Sequence, residues 1–275
     1  MTVELVDRSR PAYDERPYRP VRTTVWQPSG TGPHPIVLLS HGTGGAVADL
    51  SWLASALVAA GIAVLGVDHH GNTHVEPYDA EGFARNWDRP RDLTFALDQL
   101  ADPFDLTRVG AAGFSLGGYT AAALLGARLN TAVLRAIFEG ELPAGPLPEF
   151  PDLLEHLRKR ISDPDEWLAG AADSWRDDRV RAAFLMAPAQ GALVEPASLA
   201  RIDRPVEIRW GDADDNMVPA ENALRYLALL PGARGRSVGA TVGHYEFIHP
   251  NGDGAAVCAE VAADAVEFFR EQLCR

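Results

Sequence analysis

Gly110-Ala-Ala-Gly-Phe-Ser-Leu-Gly-Gly-Tyr119 (GAAGFSLGGY) sets a single hydroxyl, Ser115, among small residues. The residues before it read as a buried strand, and those after it, Thr120-Ala-Ala-Ala-Leu-Leu125, read as a helix. Gly113-Phe-Ser115-Leu-Gly117 has the spacing G-x-S-x-G. A nucleophile at the apex of a tight strand-to-helix turn is forced into unusual backbone angles. The positions two before and two after it must then be small, or they collide with the strand and helix packed beside them. Gly118 adds further clearance. The helix begins behind the hydroxyl, so its first amides face any negative charge that develops there. The bare pentapeptide is a weak signal; between a strand and an Ala/Leu helix it is a strong one.

The same alternation extends in both directions. Val21–Pro28 alternates and is β-branched, so it predicts a strand ending at a turn. His34–Gly42, Ile62–Gly71, Val180–Pro188 and Pro205–Gly211 are short apolar runs of the kind found in buried parallel strands, and Gly235–His244 is a last candidate. Asp49–Gly61, Arg89–Asp102, Pro219–Gly232 and Asp253–Leu273 carry helical spacing. Strands alternating with helices predict an α/β fold, a mostly parallel central sheet with helices on both faces, formed by one domain over residues 1–275. One segment breaks the rhythm. Glu139–Arg179 opens Pro-rich and continues as two charged, helical pieces. A long insertion of this kind is expected to act as a small lid or cap over what the sheet presents.

A neutral serine hydroxyl is a poor nucleophile, so it needs a histidine to take its proton and an acid to orient that histidine. At elbows of this type the chain order is serine, acid, histidine. Downstream of Ser115 stand His156, His244 and His249. His156 falls in the charged insertion and His249 is followed by proline. His244 comes directly after the last strand candidate, where open α/β sheets place ligands, and is the expected base. The loop Trp210-Gly-Asp-Ala-Asp-Asp-Asn-Met-Val218 offers Asp212, Asp214 and Asp215. Asp215, at the tip before the next helix, is the preferred acid. Carbonyl attack also creates an oxyanion that backbone N–H groups must meet. Leu116, directly after the nucleophile, supplies one, and Thr43 in the glycine-rich His41–Gly45 loop is expected to supply the other, with Gly44 as the alternative.

The chain carries 38 acidic and 25 basic residues, net charge −13. That balance argues against nucleic acid or an anionic membrane as the main partner, and leaves a small molecule as the expected one. No apolar run is long enough to span a bilayer, and the charged, Pro-rich start is not a signal peptide, so a cytoplasmic location is expected. Cys258 and Cys274 form no zinc-type pair. Asp68, His69, His70 and His74 lack metal-ligand spacing, so no metal or cofactor is expected; His69 or His70 is instead expected to line the pocket. Trp52, Trp87 and Trp175 are expected as core or rim aromatics. A homodimer stays open.

On LLSHGTGG, GVDHHGNT, WDRPRDLTFALDQL, GAAGFSLGGYTA, WGDADDNMVPAENALRYLALLPGA and VGHYEFI, the chain resembles the α/β-hydrolase superfamily. It is most similar to dienelactone-hydrolase-like and platelet-activating-factor-acetylhydrolase-like serine esterases. The resemblance covers nearly the whole chain. It implies Ser115, Asp215 and His244 as a catalytic triad, Asp215 because the acid of such enzymes stands four before the proline that opens the helix. It also implies Thr43 and Leu116 as oxyanion donors. True dienelactone hydrolases carry cysteine at the elbow, so dienelactone is a poor substrate choice for this serine. The expected activity is hydrolysis of a carboxylic ester, whether short-acyl, lactone or lipid. Amide hydrolysis, acyl transfer with the same triad and a non-catalytic ligand binder are the alternatives.

Overall fold

Strand β3 (His34–Ser40) shows why its sequence is continuously apolar: Ile36 and Leu38 point into one apolar layer, Val37 and Leu39 into the other. Both faces of the sheet are covered, so alternation disappears from the sequence. The computed structural model describes residues 1–145 and 147–274; Pro146 and Arg275 lie outside the described residues. The other strands are β1 (Thr2–Asp7), β2 (Arg19–Trp26), β4 (Ala63–Asp68), β5 (Phe104–Phe114), β6 (Val180–Met186), β7 (Val206–Trp210) and β8 (Arg234–Ser237). They form one 8-stranded sheet in the order β1-β2-β4-β3-β5-β6-β7-β8. β2 pairs antiparallel with β1 and β4, and every other pairing is parallel.

Helices α1 (Ser51–Ala59) and α10 (Ala255–Leu273) cover one face, packing Leu53, Leu57, Val261, Phe268 and Phe269 on the sheet. α3 (Asp88–Gln99), α4 (Leu116–Leu124) and α9 (Ala223–Leu229) cover the other through Leu93, Leu97, Tyr119, Leu124 and Tyr226. Each large apolar side chain so buried contributes about 1.5–3 kcal/mol, which is what holds the layers together. The short helices α2 (Ala80–Ala84), α5 (Thr131–Glu139), α6 (Leu153–Arg160), α7 (Pro164–Leu168) and α8 (Pro196–Leu199) complete the chain. Among the described residues no helix is long and apolar enough to cross a membrane.

Several boundaries differ from the sequence expectation. β1 is an edge strand whose residues alternate between exposed and half-buried, so TVELVD carries little apolar signal. α5 was not among the expected helices, although Asn130 caps its start by accepting from the Ala132 and Val133 amides and Gly140, at φ 84°, ends it. The helix after β7 begins at Ala223 rather than Pro219, and β8 ends at Ser237, well before His244.

The insertion contributes α6 and α7; its Leu157 closes a small apolar cluster with Ala80 of α2 and Phe138 of α5, while its Leu168 and Ala171 join the main layer. It packs on α2. Phe150 meets Phe83 edge-on at 5.4 Å, and Arg160 makes two hydrogen bonds to Asp79, at 2.9 and 3.0 Å. The loops after β3, β4, β5, β6 and β7 all leave from the carboxyl edge of the parallel strands, the edge where open α/β sheets bind ligands.

Candidate active site

Ser115 stands between β5 and α4 with φ 54° and ψ −118°, a conformation L residues rarely adopt. Such a residue holds about 1–3 kcal/mol of strain and persists only where its surroundings over-determine it. Here they do. Its N–H donates to the Met186 carbonyl at 2.8 Å, and its carbonyl accepts from Gly118 at 2.8 Å and Ala189 at 2.9 Å. The flanking glycines are required by space. A Cβ on Gly113 would lie 2.1 Å from the Gly117 carbonyl oxygen, and one on Gly117 would lie 2.0 Å from that of Ser40. Strands β3 and β5 and the first turn of α4 therefore touch backbone to backbone at the elbow.

His244 opens a short 3-10 turn and is buried. Its ring lies on Phe114, the residue before the elbow serine, at a centroid distance of 4.7 Å. Its Nδ1 is 2.7 Å from Asp214 Oδ2. The loops that carry the two are zipped together: Asp212 donates its amide to Gly239 and Ala213 donates to Val242, both at 3.0 Å. Asp214 Oδ1 accepts from the amides of Asn216 (3.0 Å) and Met217 (2.6 Å), which fixes its carboxylate and leaves Oδ2 to the imidazole.

The carboxylate that meets His244 is thus Asp214, not the expected Asp215. Asp215 is exposed, while Asp214 is buried and carries the contact to His244. The paired loops decide between them, turning Asp214 inward with its Oδ1 on the Asn216 and Met217 amides and leaving Asp215 outside. Asp212 accepts from the Trp210 indole at 3.1 Å and plays no part in orienting the imidazole.

The loop after β3 reaches the elbow: a Cβ on Gly42 would lie 3.4 Å from Ser115 Cβ. The Gly44 amide is engaged, donating to Asn72 Oδ1 at 2.7 Å. Leu116 opens α4 directly after Ser115, and Thr43 follows Gly42 in the loop that reaches the elbow. Asn72 and Tyr78, whose hydroxyl donates to the Gly44 carbonyl at 2.8 Å, hold this loop, and no motif in the sequence singles them out. Glu149 of the insertion sits beside them, its Cγ 3.1 Å from where a Cβ on Gly44 would stand. Burial, with the charges of Glu149 and Asp49, pushes the Tyr78 hydroxyl up, so it stays a neutral donor.

His69 and His70 do not line a pocket. His69 is buried against Ser40 (2.9 Å) and Asp92 (3.0 Å). His70 stacks on Tyr13 and bonds Glu76. Trp87 is fully buried in the core; Trp52 donates to the Phe247 carbonyl, and Trp175 lies beneath Arg91. Among the described residues no group of three or more His, Cys, Asp or Glu is arranged to hold a metal ion.

Residues 31–231 match the family described as serine aminopeptidase, S33. The chain belongs to that family. With its eight-stranded, mostly parallel sheet it is a member of the α/β-hydrolase superfamily. Three solved structures share the fold of this hydrolase. A ferulic acid esterase from Streptomyces cinnamoneus matches at 21% identity and TM-score 0.65, over 99% of this chain and 88% of that one. A dienelactone hydrolase from Anabaena variabilis matches at 18% and 0.57, over 99% and 98%. A puromycin-hydrolyzing peptidase from Mycobacterium tuberculosis matches at 15% and 0.59, over 99% of this chain but 39% of that one. A search of curated proteins finds no match.

Proposed function

We propose that this hydrolase cleaves carboxylic esters (short-acyl, lactone or lipid) through an acyl-enzyme on Ser115. His244 takes the Ser115 proton as Oγ attacks the carbonyl carbon. Asp214, on Nδ1, keeps the imidazole in the tautomer whose Nε2 is free to accept, and stabilises the imidazolium that forms. The amides of Thr43 and Leu116 meet the oxyanion, each donor worth about 3 kcal/mol of transition-state stabilisation. Collapse of the tetrahedral intermediate breaks the C–O bond. The departing alkoxide takes the proton from His244, and water repeats the sequence to release the acid. Every step is carried by these residues and water. The substrate is a small molecule, reached from beside the insertion.

The observation that carries this reading is the strained Ser115 with the Asp214–His244 pair packed on its neighbour Phe114. Catalytic hydrogen bonds to the nucleophile commonly tighten only when substrate is bound. The family description and the peptidase neighbour make amides the natural comparison. The test is therefore labelling by a fluorophosphonate probe, and then a panel of p-nitrophenyl esters against p-nitroanilides, with and without competing alcohols. Labelling lost in Ser115→Ala, with esters turned over well ahead of anilides, is the expected result. Faster anilide cleavage moves the activity to amides; product diverted to the added alcohol moves it to acyl transfer. A wild type that takes no label and hydrolyses nothing leaves a ligand-binding protein.

A further inference from the structure

Behind the elbow lies a buried polar chain that the catalytic steps do not use. Arg19 grips Asp92 through two hydrogen bonds, at 2.7 and 2.8 Å. Asp92 faces His69 Nδ1 at 3.0 Å, and His69 Nε2 faces Ser40 Oγ at 2.9 Å. Arg89 comes next. Its Nη2 donates to Ser40 Oγ (3.3 Å) and to the His41 carbonyl, and its Nε donates to Thr120 Oγ1 (3.2 Å). Thr120 in turn donates to the Leu116 carbonyl at 3.0 Å. All these side chains are buried.

The proton assignments are consistent throughout. Burial first, and the Arg89 charge second, draw His69 down to about 3 and His41 well below its usual range, so both rings are neutral. Asp92 therefore accepts from His69 Nδ1–H, and His69 Nε2 accepts from the Ser40 hydroxyl. Ser40 oxygen is left to accept from Arg89. His41 Nε2 accepts from the His69 amide at 3.1 Å.

This arrangement is poorly explained as a stabilising device. A guanidinium taken wholly out of water is costly unless all its donors are met, and Arg89 Nη1 has no partner among the described residues. Burial pulls the group down to about 9, which still leaves it charged at neutral pH. Its contacts are also specific in place. One branch holds the strand end that leads into the Thr43 loop, and the other holds the turn that carries the Leu116 amide. Each donor of the expected oxyanion site thus hangs from an element that Arg89 fixes.

We infer that Arg89 is a positioning residue, tying the loop of Thr43 to the first turn of α4 so that two backbone amides from separate elements converge on one oxyanion. Asp92, His69 and Ser40 hold the guanidinium in that setting. The role rests on the hydrolase reading of the site. A lysine in its place supplies charge but no fork, and cannot span both branches.

The experiment compares wild type with Arg89→Lys, Arg89→Met and Thr120→Val. Fluorophosphonate titration counts competent sites, so kcat is expressed per titrated site on p-nitrophenyl butyrate. The Ki of a trifluoromethyl ketone, which forms an oxyanion on the serine, is measured alongside. Removal of an oxyanion donor lowers kcat about 10²–10³-fold. Displacing donors rather than removing them is expected to lower kcat about tenfold or more in both Arg89 variants and by about threefold or more in Thr120→Val, with KM nearly constant. The Ki rises by the same factor. A merely structural role would lower the melting temperature but leave kcat per site and Ki unchanged, and that result overturns the inference. If the Arg89 variants do not fold, Thr120→Val decides on the same two readouts. A labelled, active wild type with indifferent variants sinks the inference alone; an unlabelled, inactive wild type sinks the hydrolase reading and this role with it.

Discussion

Asp214→Asn is the sharpest perturbation of the site, because its effect is fixed by which atoms its carboxylate meets. Oδ1 accepts two backbone amides, from Asn216 and Met217, while Oδ2 faces His244 Nδ1 at 2.7 Å. In the variant the amide oxygen must stay on the two N–H groups. Turning the NH2 toward them instead would set donors against donors in a buried site, at about 1–3 kcal/mol for each unmet group. The NH2 is therefore directed at His244, and an NH2 cannot accept a hydrogen bond. The imidazole answers by moving its proton to Nε2, the nitrogen that has to receive the proton of Ser115. A tautomer error of this kind lowers kcat about 10⁴-fold, equivalent to about 5 kcal/mol of barrier. Asp215→Asn, at an exposed position, is expected within about threefold of wild type. The assay is steady-state and burst kinetics with a p-nitrophenyl ester, normalised to sites titrated by fluorophosphonate. An Asp214→Asn enzyme within tenfold of wild type, or an Asp215→Asn enzyme that falls as far, would refute the reasoning.

Three further outcomes are expected. Ser115→Gly relieves the backbone strain at φ 54° that Ser115→Ala retains, so both are inactive but the glycine variant resists urea by about 1 kcal/mol more; equal midpoints would count against strain at the elbow. Gly117→Ala forces a methyl into the Ser40 carbonyl at 2.0 Å, so stability falls by roughly 3 kcal/mol and probe labelling is lost; a stable, labelled variant would show that the elbow can relax. His69, held at about 3 in the folded chain, takes its proton in the unfolded chain first, near ~6.5, so its contribution to stability is complete above that pH and is lost as pH falls toward 3. Between pH 7.5 and 5, wild type should lose about 2 kcal/mol more than His69→Gln in urea titrations, and equal losses would remove the histidine from the acid response.

The sheet and the elbow were legible because each leaves a local pattern. Apolar runs mark strands covered on both faces, and Gly113 and Gly117 mark where backbones meet. The acid was not legible to the residue. Asp212, Asp214 and Asp215 are all able to accept amides in a turn, and the choice is made by how the loops after β7 and β8 zip together, which is a tertiary fact. The polar chain behind the elbow was hidden for a related reason. Arg89 and Asp92 lie one helical turn apart, a spacing that ordinarily marks a solvated face. Only the fold shows that Arg19 arrives from β2 and His69 from the end of β4 to bury them. β1 carries no apolar run because an edge strand has one neighbour and one face to cover.

The helical segment between α5 and β6 sets Leu157 into a small apolar centre with Phe138 of α5 and Ala80 of α2, and sends Leu168 and Ala171 into the layer that covers the sheet. Its attachment to the rest runs through α2, through Arg160 and Asp79, and through Trp167, which meets the buried Trp87 edge-on at 5.4 Å. Exchanging its α7 end would disturb the packing shared with Trp87 and Leu116, whereas its α6 end meets α2 and α5. A redesign of this segment that keeps Trp167, Leu168 and Ala171 would thus spare the core, and one that removes them would have to rescue the fold first.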